Sequence, residues 1–210
     1  MKIAVPGVNG RMGTIIRAKA ATEGVEVVPI GKADVLIDFT RPAATLRQLA
    51  QHGGPAVVGT TGFTDTELIE LRAFAAQQPV VFAANMSLGV NALLALVRDA
   101  ASMLAGYDIG IFETHHRHKV DAPSGTALEL GKATGRDVTF ASLRGGGDVG
   151  THTVMLAADG ERIELTHRAF DRGIYASGSL TAARWVLGRP PGLYTMADVL
   201  RANRAQEVPR

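Results

Sequence analysis

The chain contains no cysteine, which excludes disulfides, thiolate chemistry and cysteine-ligated zinc. Long apolar runs are also missing, so no segment is expected to span a bilayer. Charge of one sign is scarce. With 22 Lys+Arg against 20 Asp+Glu the formal net charge is only +2. No Lys/Arg run or aromatic stacking platform recommends nucleic acid as a partner. Met1-Lys2-Ile3 enters a strand pattern directly and does not read as a signal peptide. A cytoplasmic protein acting on small molecules, without membrane or nucleic-acid partners, is the expectation.

What is present fits a packed globular chain. The 210 residues are 46% hydrophobic and 20% charged, enough for one large or two small domains with proper cores. Short apolar strand patterns at 2–5, 25–30, 35–39, 56–59 and 80–83 alternate with helical stretches. One helix starts at Pro42, and Thr64-Asp65-Thr66-Glu67 is a capping box that starts another. Such alternation predicts an α/β fold with a Rossmann-like doubly wound parallel sheet. The character changes after Asn85. A long apolar helix over 87–104 is followed by strand patterns at 107–113, 138–143, 152–157 and 162–167. That order predicts a second α+β domain with an open mixed sheet.

Two stretches carry chemistry. Near the start, Ile3 to Val5 leads into Gly7-Val8-Asn9-Gly10-Arg11-Met12-Gly13 and then a helical run. Strand, glycine turn and helix is the setting in which a dinucleotide pyrophosphate sits on a helix N-terminus. The glycine spacing departs from G-x-G-x-x-G, and a purely structural βα turn is the plainer alternative.

The second stretch, 113–130, packs His115, His116, Arg117, His118 and Lys119 together, then Asp121, Pro123 and Ser124-Gly125-Thr126. Pro123 cannot continue a helix, whereas Ser124 is a good N-cap. The N–H groups of Gly125 and Thr126 can therefore receive a carboxylate, with the Thr126 hydroxyl as a further donor. An ordinary capped helix explains Ser-Gly-Thr by itself. Imidazole titrates near neutrality and a cationic neighbourhood favours proton release, so His115 and Lys119 are the candidate acid/base pair. If the segment stays extended, these two project to one side and His116 and His118 to the other. A metal site is not expected, because no third zinc ligand is evident.

Together with 37–42, Val58-Gly59-Thr60-Thr61-Gly62 and Phe82-Ala83-Ala84-Asn85-Met86-Ser87, these motifs resemble the dihydrodipicolinate reductase family of the diaminopimelate/lysine pathway. The resemblance runs over nearly the whole chain. It implies reduction of 4-hydroxy-tetrahydrodipicolinate by NADPH or NADH, with hydride delivered to the ring, protonation and loss of water. His115 and Lys119 would be catalytic, and His116, Gly125 and Thr126 would bind substrate. The cofactor would contact Gly7, Val8, Asn9, Gly10, Arg11 and Met12, then Gly59, Thr60 and Thr61, and finally Ala84, Asn85, Met86 and Ser87.

The family resemblance also implies a homotetramer assembled through the second sheet. It places a dinucleotide-binding domain at 1–85, rejoined from about 187 to 210, and a substrate-binding and oligomerisation domain at 86–186. Departures from the pattern are Met86, where many members have phenylalanine, and shortened segments at 28–35 and 131–144. The first shortening removes the acidic residue that usually binds the adenosine ribose. Lys32 stands near that point and would attract a 2′-phosphate, favouring NADPH; an ordinary solvated turn lysine is the plainer alternative and leaves NADH open. The alternatives are another nicotinamide-dependent dehydrogenase of a small dicarboxylate, a non-catalytic dinucleotide-binding regulator, and a metal hydrolase using His115, His116 and His118.

Overall fold

The structure, a computed structural model, describes residues 1–206, with side chains through Arg201. It forms two compact units. The first comprises Met1–Leu88 and the chain from Gly173 onward, the second Gly89–Arg172.

The first unit is built on strands β1 (Lys2–Ala4), β2 (Glu26–Val27), β3 (Val35–Asp38), β4 (Ala56–Val58), β5 (Pro79–Phe82) and β10 (Gly192–Tyr194). They form one sheet in the order β10-β5-β4-β3-β1-β2, and every pairing is parallel. Both faces are covered, as parallel sheets require. Ile3, Val35, Ile37, Val57 and Val81 pack with Ile16 and Ala20 of α1 (Arg11–Thr22) and Leu180 and Ala183 of α6 (Gly173–Val186). The alternate residues Ala4, Leu36, Ala56, Val58 and Val80 pack with Leu49 of α2 (Pro42–His52) and Leu71 of α3 (Asp65–Ala75). This two-residue alternation makes the sheet doubly wound. The chain reverses direction across the sheet between β1 and β3, the crevice where ligands bind in such folds.

Local chemistry sets the helix ends. Pro42 opens α2, and Gly53 closes it in the left-handed conformation. Thr64 and Glu67 form the reciprocal capping box of α3. The strand expected over 25–30 contracts to two residues, since Pro29 has no N–H for the ladder and a short 3₁₀ turn, Ile30–Lys32, follows.

A second correction concerns the return to the first unit, which begins at Gly173 and not near Leu187. Helix α6 belongs to this unit because it lies on α1 and on β3, β4 and β5. Its buried face is rich in small residues (Ala176, Gly178, Ser179, Ala182, Ala183), and Gly178 lets the backbone of Met86 approach so closely that a Cβ would stand 1.8 Å from the Met86 carbonyl oxygen.

The second unit begins with α4 (Leu88–Met103), whose first residue still belongs to the first unit. Then come β6 (Asp108–His115), α5 (Gly125–Thr134), β7 (Thr139–Arg144), β8 (Gly150–Ala158) and β9 (Glu161–Ala169). The sheet order is β7-β6-β8-β9, with β6–β7 parallel and the other pairings antiparallel. Leu93, Val97, Ile109, Ile111, Ala127, Leu130, Val154 and Leu156 form the core between sheet and helices. The opposite face carries the exposed Phe112 and Leu143. The remaining helix, α7 (Met196–Gln206), follows β10 in the first unit. Among the described residues no helix is long and apolar enough to cross a membrane.

Gly178→Ala would force α6 away from Met86. Overpacking of this kind costs about 1–3 kcal/mol, and a lowered urea midpoint with unchanged helix content is the expected result.

Candidate active site

In the first unit the glycine motif forms a tight turn. Gly7 has a left-handed φ of 67°, and its carbonyl accepts the Gly10 N–H at 2.7 Å. Gly13 must lack a side chain, because a Cβ there would lie 2.3 Å from the Gly7 oxygen. Helix α1 therefore starts hard against the turn, with Gly10 as N-cap and no side chain capping its first N–H groups. Uncapped N–H groups and a positive dipole end suit a pyrophosphate. Beside them opens a cleft of about 380 Å³, lined by Val5, Val8, Val28, Ile30 and Gln48 among others. The mixed apolar and amide lining fits an adenosine. Lys32 is exposed two residues beyond the cleft wall at Ile30.

The other residues expected at the cofactor divide into two groups. Thr61 and Ala84 are exposed. Gly59 is constrained by packing, since a Cβ would stand 2.2 Å from the Phe39 ring. The buried Thr60 hydroxyl accepts from Thr45 at 2.9 Å and donates to Asp38 at 3.4 Å. Met86 is in the core beside Leu180, and the Ser87 N–H donates to the Asn85 Oδ1 at 2.9 Å. The Met86 side chain is thus used in packing, and its carbonyl lies against Gly178 of α6.

The second unit gathers the histidine–lysine segment around a buried carboxylate. Strand β6 alternates, so Glu113 and His115 face the helices with Ile109 and Ile111. Both Glu113 oxygens are engaged. Arg144 reaches Oε1 through Nη2 at 2.6 Å and Oε2 through Nη1 at 2.9 Å. The Ser124 N–H donates to Oε1 at 3.2 Å, and Oε2 accepts from the His115 Nδ1. Arg144 can do this because the parallel register sets it beside His115. Burial alone would push the Glu113 carboxyl up. The hydrogen bonds of Arg144, Ser142 and His115 outweigh that and hold it at about 2.

Ser124 caps α5 by accepting the Ala127 N–H at 3.2 Å, and its hydroxyl pairs with the His152 Nε2 at 2.9 Å. The rings of His152 and His115 meet edge to face, 5.1 Å apart. Burial lowers both histidines. For His115 the positive charges of Lys119 and Arg144 add to it and Glu113 opposes it. For His152 the neighbouring His115 adds to it, and the value falls to about 4. Space at the free edge of His115 depends on Gly150, where a Cβ would come within 2.9 Å of Nε2.

The strand ends at His115, so the expected extended arrangement through Lys119 gives way to a turn in which the Lys119 N–H donates to the His116 carbonyl at 3.1 Å. Lys119 is not in a purely cationic setting either. Its Nζ contacts both Asp121 oxygens, at 2.8 and 2.9 Å, and the Gly125 N–H also donates to this carboxylate. His116 is half-buried, with its N–H on the Asp148 carbonyl at 2.7 Å. Gly125 is exposed and Thr126 half-buried in the first turn of α5. The loop Gly145-Gly146-Gly147 between β7 and β8 packs along this segment, the Gly145 N–H donating to the His115 carbonyl at 3.0 Å.

Sequence reasoning missed Glu113 and His152; it expected the glycine-rich turn 144–150 near the substrate mouth, without assigning a task to Arg144 or Gly150. Glu113 was discoverable from its i, i+2 relation to His115 on a strand. The others reach the site through sheet pairing. Among the described residues no group of three or more His, Asp or Glu is placed to hold a metal ion.

The depressed histidines have a consequence for stability. Between the ordinary histidine value of 6.5 and about 4, the unfolded chain holds a proton at His152 that the fold refuses. Stability therefore falls as pH drops through that window. Glu113 acts in the same sense below 4.5, because its stabilisation is lost as pH falls toward about 2. Urea midpoints should decline from about pH 7 to about pH 4.5, and more shallowly in His152→Asn. A slope unchanged by that substitution would show that His152 protonates within the fold.

Residues 29–86 match the family model for dihydrodipicolinate reductase, N-terminus, and residues 89–200 match that for dihydrodipicolinate reductase, C-terminus. A 4-hydroxy-tetrahydrodipicolinate reductase from Thiobacillus denitrificans is 43% identical over 262 aligned positions, covering 95% of this chain and 98% of its own length. Another, from Chromohalobacter salexigens, is 50% identical over 196 positions, covering 80% and 73%. Among solved structures, dipicolinate-bound dihydrodipicolinate reductase from Paenisporosarcina sp. TG-14 matches the fold with a TM-score of 0.80 at 21% identity, over 93% of this chain and 97% of that one. The C. glutamicum DAP dehydrogenase shares the fold with a TM-score of 0.59 at 12% identity, over 99% of each chain. Two successive family matches and 43% identity along nearly the full length of both chains place the protein: it belongs to the dihydrodipicolinate reductase family.

Proposed function

We propose that the protein reduces 4-hydroxy-tetrahydrodipicolinate to tetrahydrodipicolinate with a nicotinamide cofactor, in diaminopimelate and lysine biosynthesis. The observation that carries this reading is the gathering of His115, Lys119 and the capped N-terminus of α5 at one end of β6. A dicarboxylate that accepts electrons needs anion donors and a proton source together, and this end of the strand supplies both.

The first unit would hold the dinucleotide, with the pyrophosphate on the turn Gly7-Val8-Asn9-Gly10-Arg11-Met12 and the adenosine in the adjoining cleft. Thr61, Ala84 and Asn85 line the carboxyl ends of the neighbouring strands, on the side where such folds take the rest of a dinucleotide. When bound, the reduced nicotinamide supplies a hydride to the substrate ring.

In the second unit the Gly125 N–H, Thr126 and His116 would bind a substrate carboxylate. This carboxylate takes the place of Asp121, which occupies Lys119 and the Gly125 N–H in the structure. Lys119 Nζ and His115 Nε2 then hold the protons that quench negative charge on the ring as water leaves. Lys32 favours NADPH by attracting the 2′-phosphate. The exposed sheet face bearing Phe112 and Leu143 is the surface through which four copies would assemble.

The direct test generates the substrate in situ from pyruvate and aspartate semialdehyde with the preceding synthase, and follows nicotinamide oxidation. Turnover is expected, with kcat/KM higher for NADPH than for NADH. Lys32→Ala should reduce the NADPH value about tenfold, the worth of one charge-assisted contact, and leave NADH unaffected. Lys119→Ala should lower kcat at least about 10²-fold with little change in cofactor affinity. Equal losses in both would remove Lys119 from the chemistry.

A further inference from the structure

We propose that Glu113 is the positioning residue of the site: its carboxylate fixes His115 as the Nδ1–H tautomer, presents Nε2 to the substrate, and ties that ring to the N-terminus of α5. The proposal rests on the reductase reading, which gives His115 its task.

Three features of the geometry lead to it. First, an ionised carboxylate can only accept hydrogen bonds, so the proton between Glu113 Oε2 and His115 belongs to Nδ1. The opposite ring nitrogen is then a lone pair in the neutral ring and a donor in the charged one, as proton transfer requires. Secondly, the carboxylate cannot turn. Arg144 grips both oxygens, and Glu113 is only 2% exposed. His152 stands edge-on against the His115 ring and restricts it further. Thirdly, the way to Nε2 is kept open by Gly150, whose missing Cβ would lie 2.9 Å from that nitrogen.

The same carboxylate accepts the Ser124 N–H, and Ser124 caps the helix whose next residues are Gly125 and Thr126. Proton-transfer group and anion site are thus referred to one rigid point. An unconstrained imidazole would divide between tautomers and orientations, and displacement of a reacting atom by about 1 Å costs on the order of 10²-fold in rate.

The groups facing His115 also set a pH signature. They are Glu113 on its own strand, Arg144 on β7, His152 on β8 and Lys119 on the turn. Removal of the Glu113 charge leaves the cations, so the Nε2 proton is held less tightly. The His115 limb of the pH–rate profile then moves to lower pH.

The test has two independent readouts. In histidine ¹⁵N–¹H spectra of the wild type, with the His115 signals assigned by their loss in His115→Gln, neutral His115 should carry its proton on Nδ1. A predominant Nε2–H tautomer overturns the proposal whether or not the reductase assay succeeds. Conversely, absence of wild-type turnover overturns the reductase reading and leaves the tautomer result intact.

In kinetics, Glu113→Gln should lower kcat about 10²-fold, leave KM for the cofactor unchanged and shift the pH–rate limb downward. In a His115→Ala background the same substitution should cost less than about twofold, because coupled residues are not additive. Equal losses in both backgrounds, or an unaffected Glu113→Gln enzyme, would make Glu113 merely structural. If Glu113→Gln does not fold, Glu113→Asp keeps the charge for Arg144 and withdraws it from Nδ1. That variant should show mixed tautomers and reduced kcat, and a wild-type spectrum and rate would refute the role.

Discussion

The second unit is organised by the desolvation of one carboxylate. Glu113 sits within the helix-facing side of β6, where an unpaired charge would cost several kcal/mol. Its donors come from three separate places: Arg144 and Ser142 on β7, the main chain of Ser124, and His115 on the same strand. Meeting that requirement fixes the end of the β6–β7 pair, the start of α5 and the histidine ring at once. The guanidinium extends the constraint, since its Nη2 also donates to the Asp121 carbonyl at 2.7 Å. The loop carrying Lys119 and Asp121 is thereby fastened to the sheet. An apolar residue in place of Glu113 would remove the desolvation cost but strand Arg144, and breaking one partner of a buried pair typically costs about 3–5 kcal/mol.

Much of the fold was legible because it depends on local chemistry. The apolar runs that became β1, β3, β4 and β5 had few other ways to be buried. The capping box at Thr64 and the Ser124 cap were readable from spacing alone. Helix α6 shows where such reading stops. Ser177-Gly178-Ser179 lowers helix propensity, and its purpose is visible only once Met86 lies against it. The strand expected over 25–30 likewise stops at Val27, two residues before Pro29, a local signal outweighed in the reading by the apolar pattern around it.

The candidate residues were legible in the sequence, and the geometry that joins them was not. His115, Lys119 and Ser124 lie in one short stretch that names itself. The arginine that grips Glu113 is 31 residues downstream of it, and the parallel register of β6 with β7 brings it there. Similarly, Thr60 belongs by its sequence context to a cofactor loop, yet its hydroxyl is turned inward toward Asp38. Motif spacing identifies which residues matter locally. It does not reveal which face a residue presents once strands pair.

Asp38 and Glu113 show what partner choice does to the same functional group. Both carboxylates are buried near the carboxyl end of a strand. Asp38 meets neutral donors, the Thr40 N–H and hydroxyl at 2.6 and 2.7 Å, with the Thr60 and Thr45 hydroxyls contributing further, and its Oδ2 has no partner among the described residues. Burial prevails there, and the Asp38 carboxyl is pushed up. Glu113 has a guanidinium across both oxygens, and burial loses. The difference suits their positions. Burial behind the strand end raises the Asp38 carboxyl, whereas a negative charge held beside His115 favours the imidazolium whenever that ring takes up a proton. For these two buried acids, the presence or absence of an arginine decides which way the carboxyl is shifted.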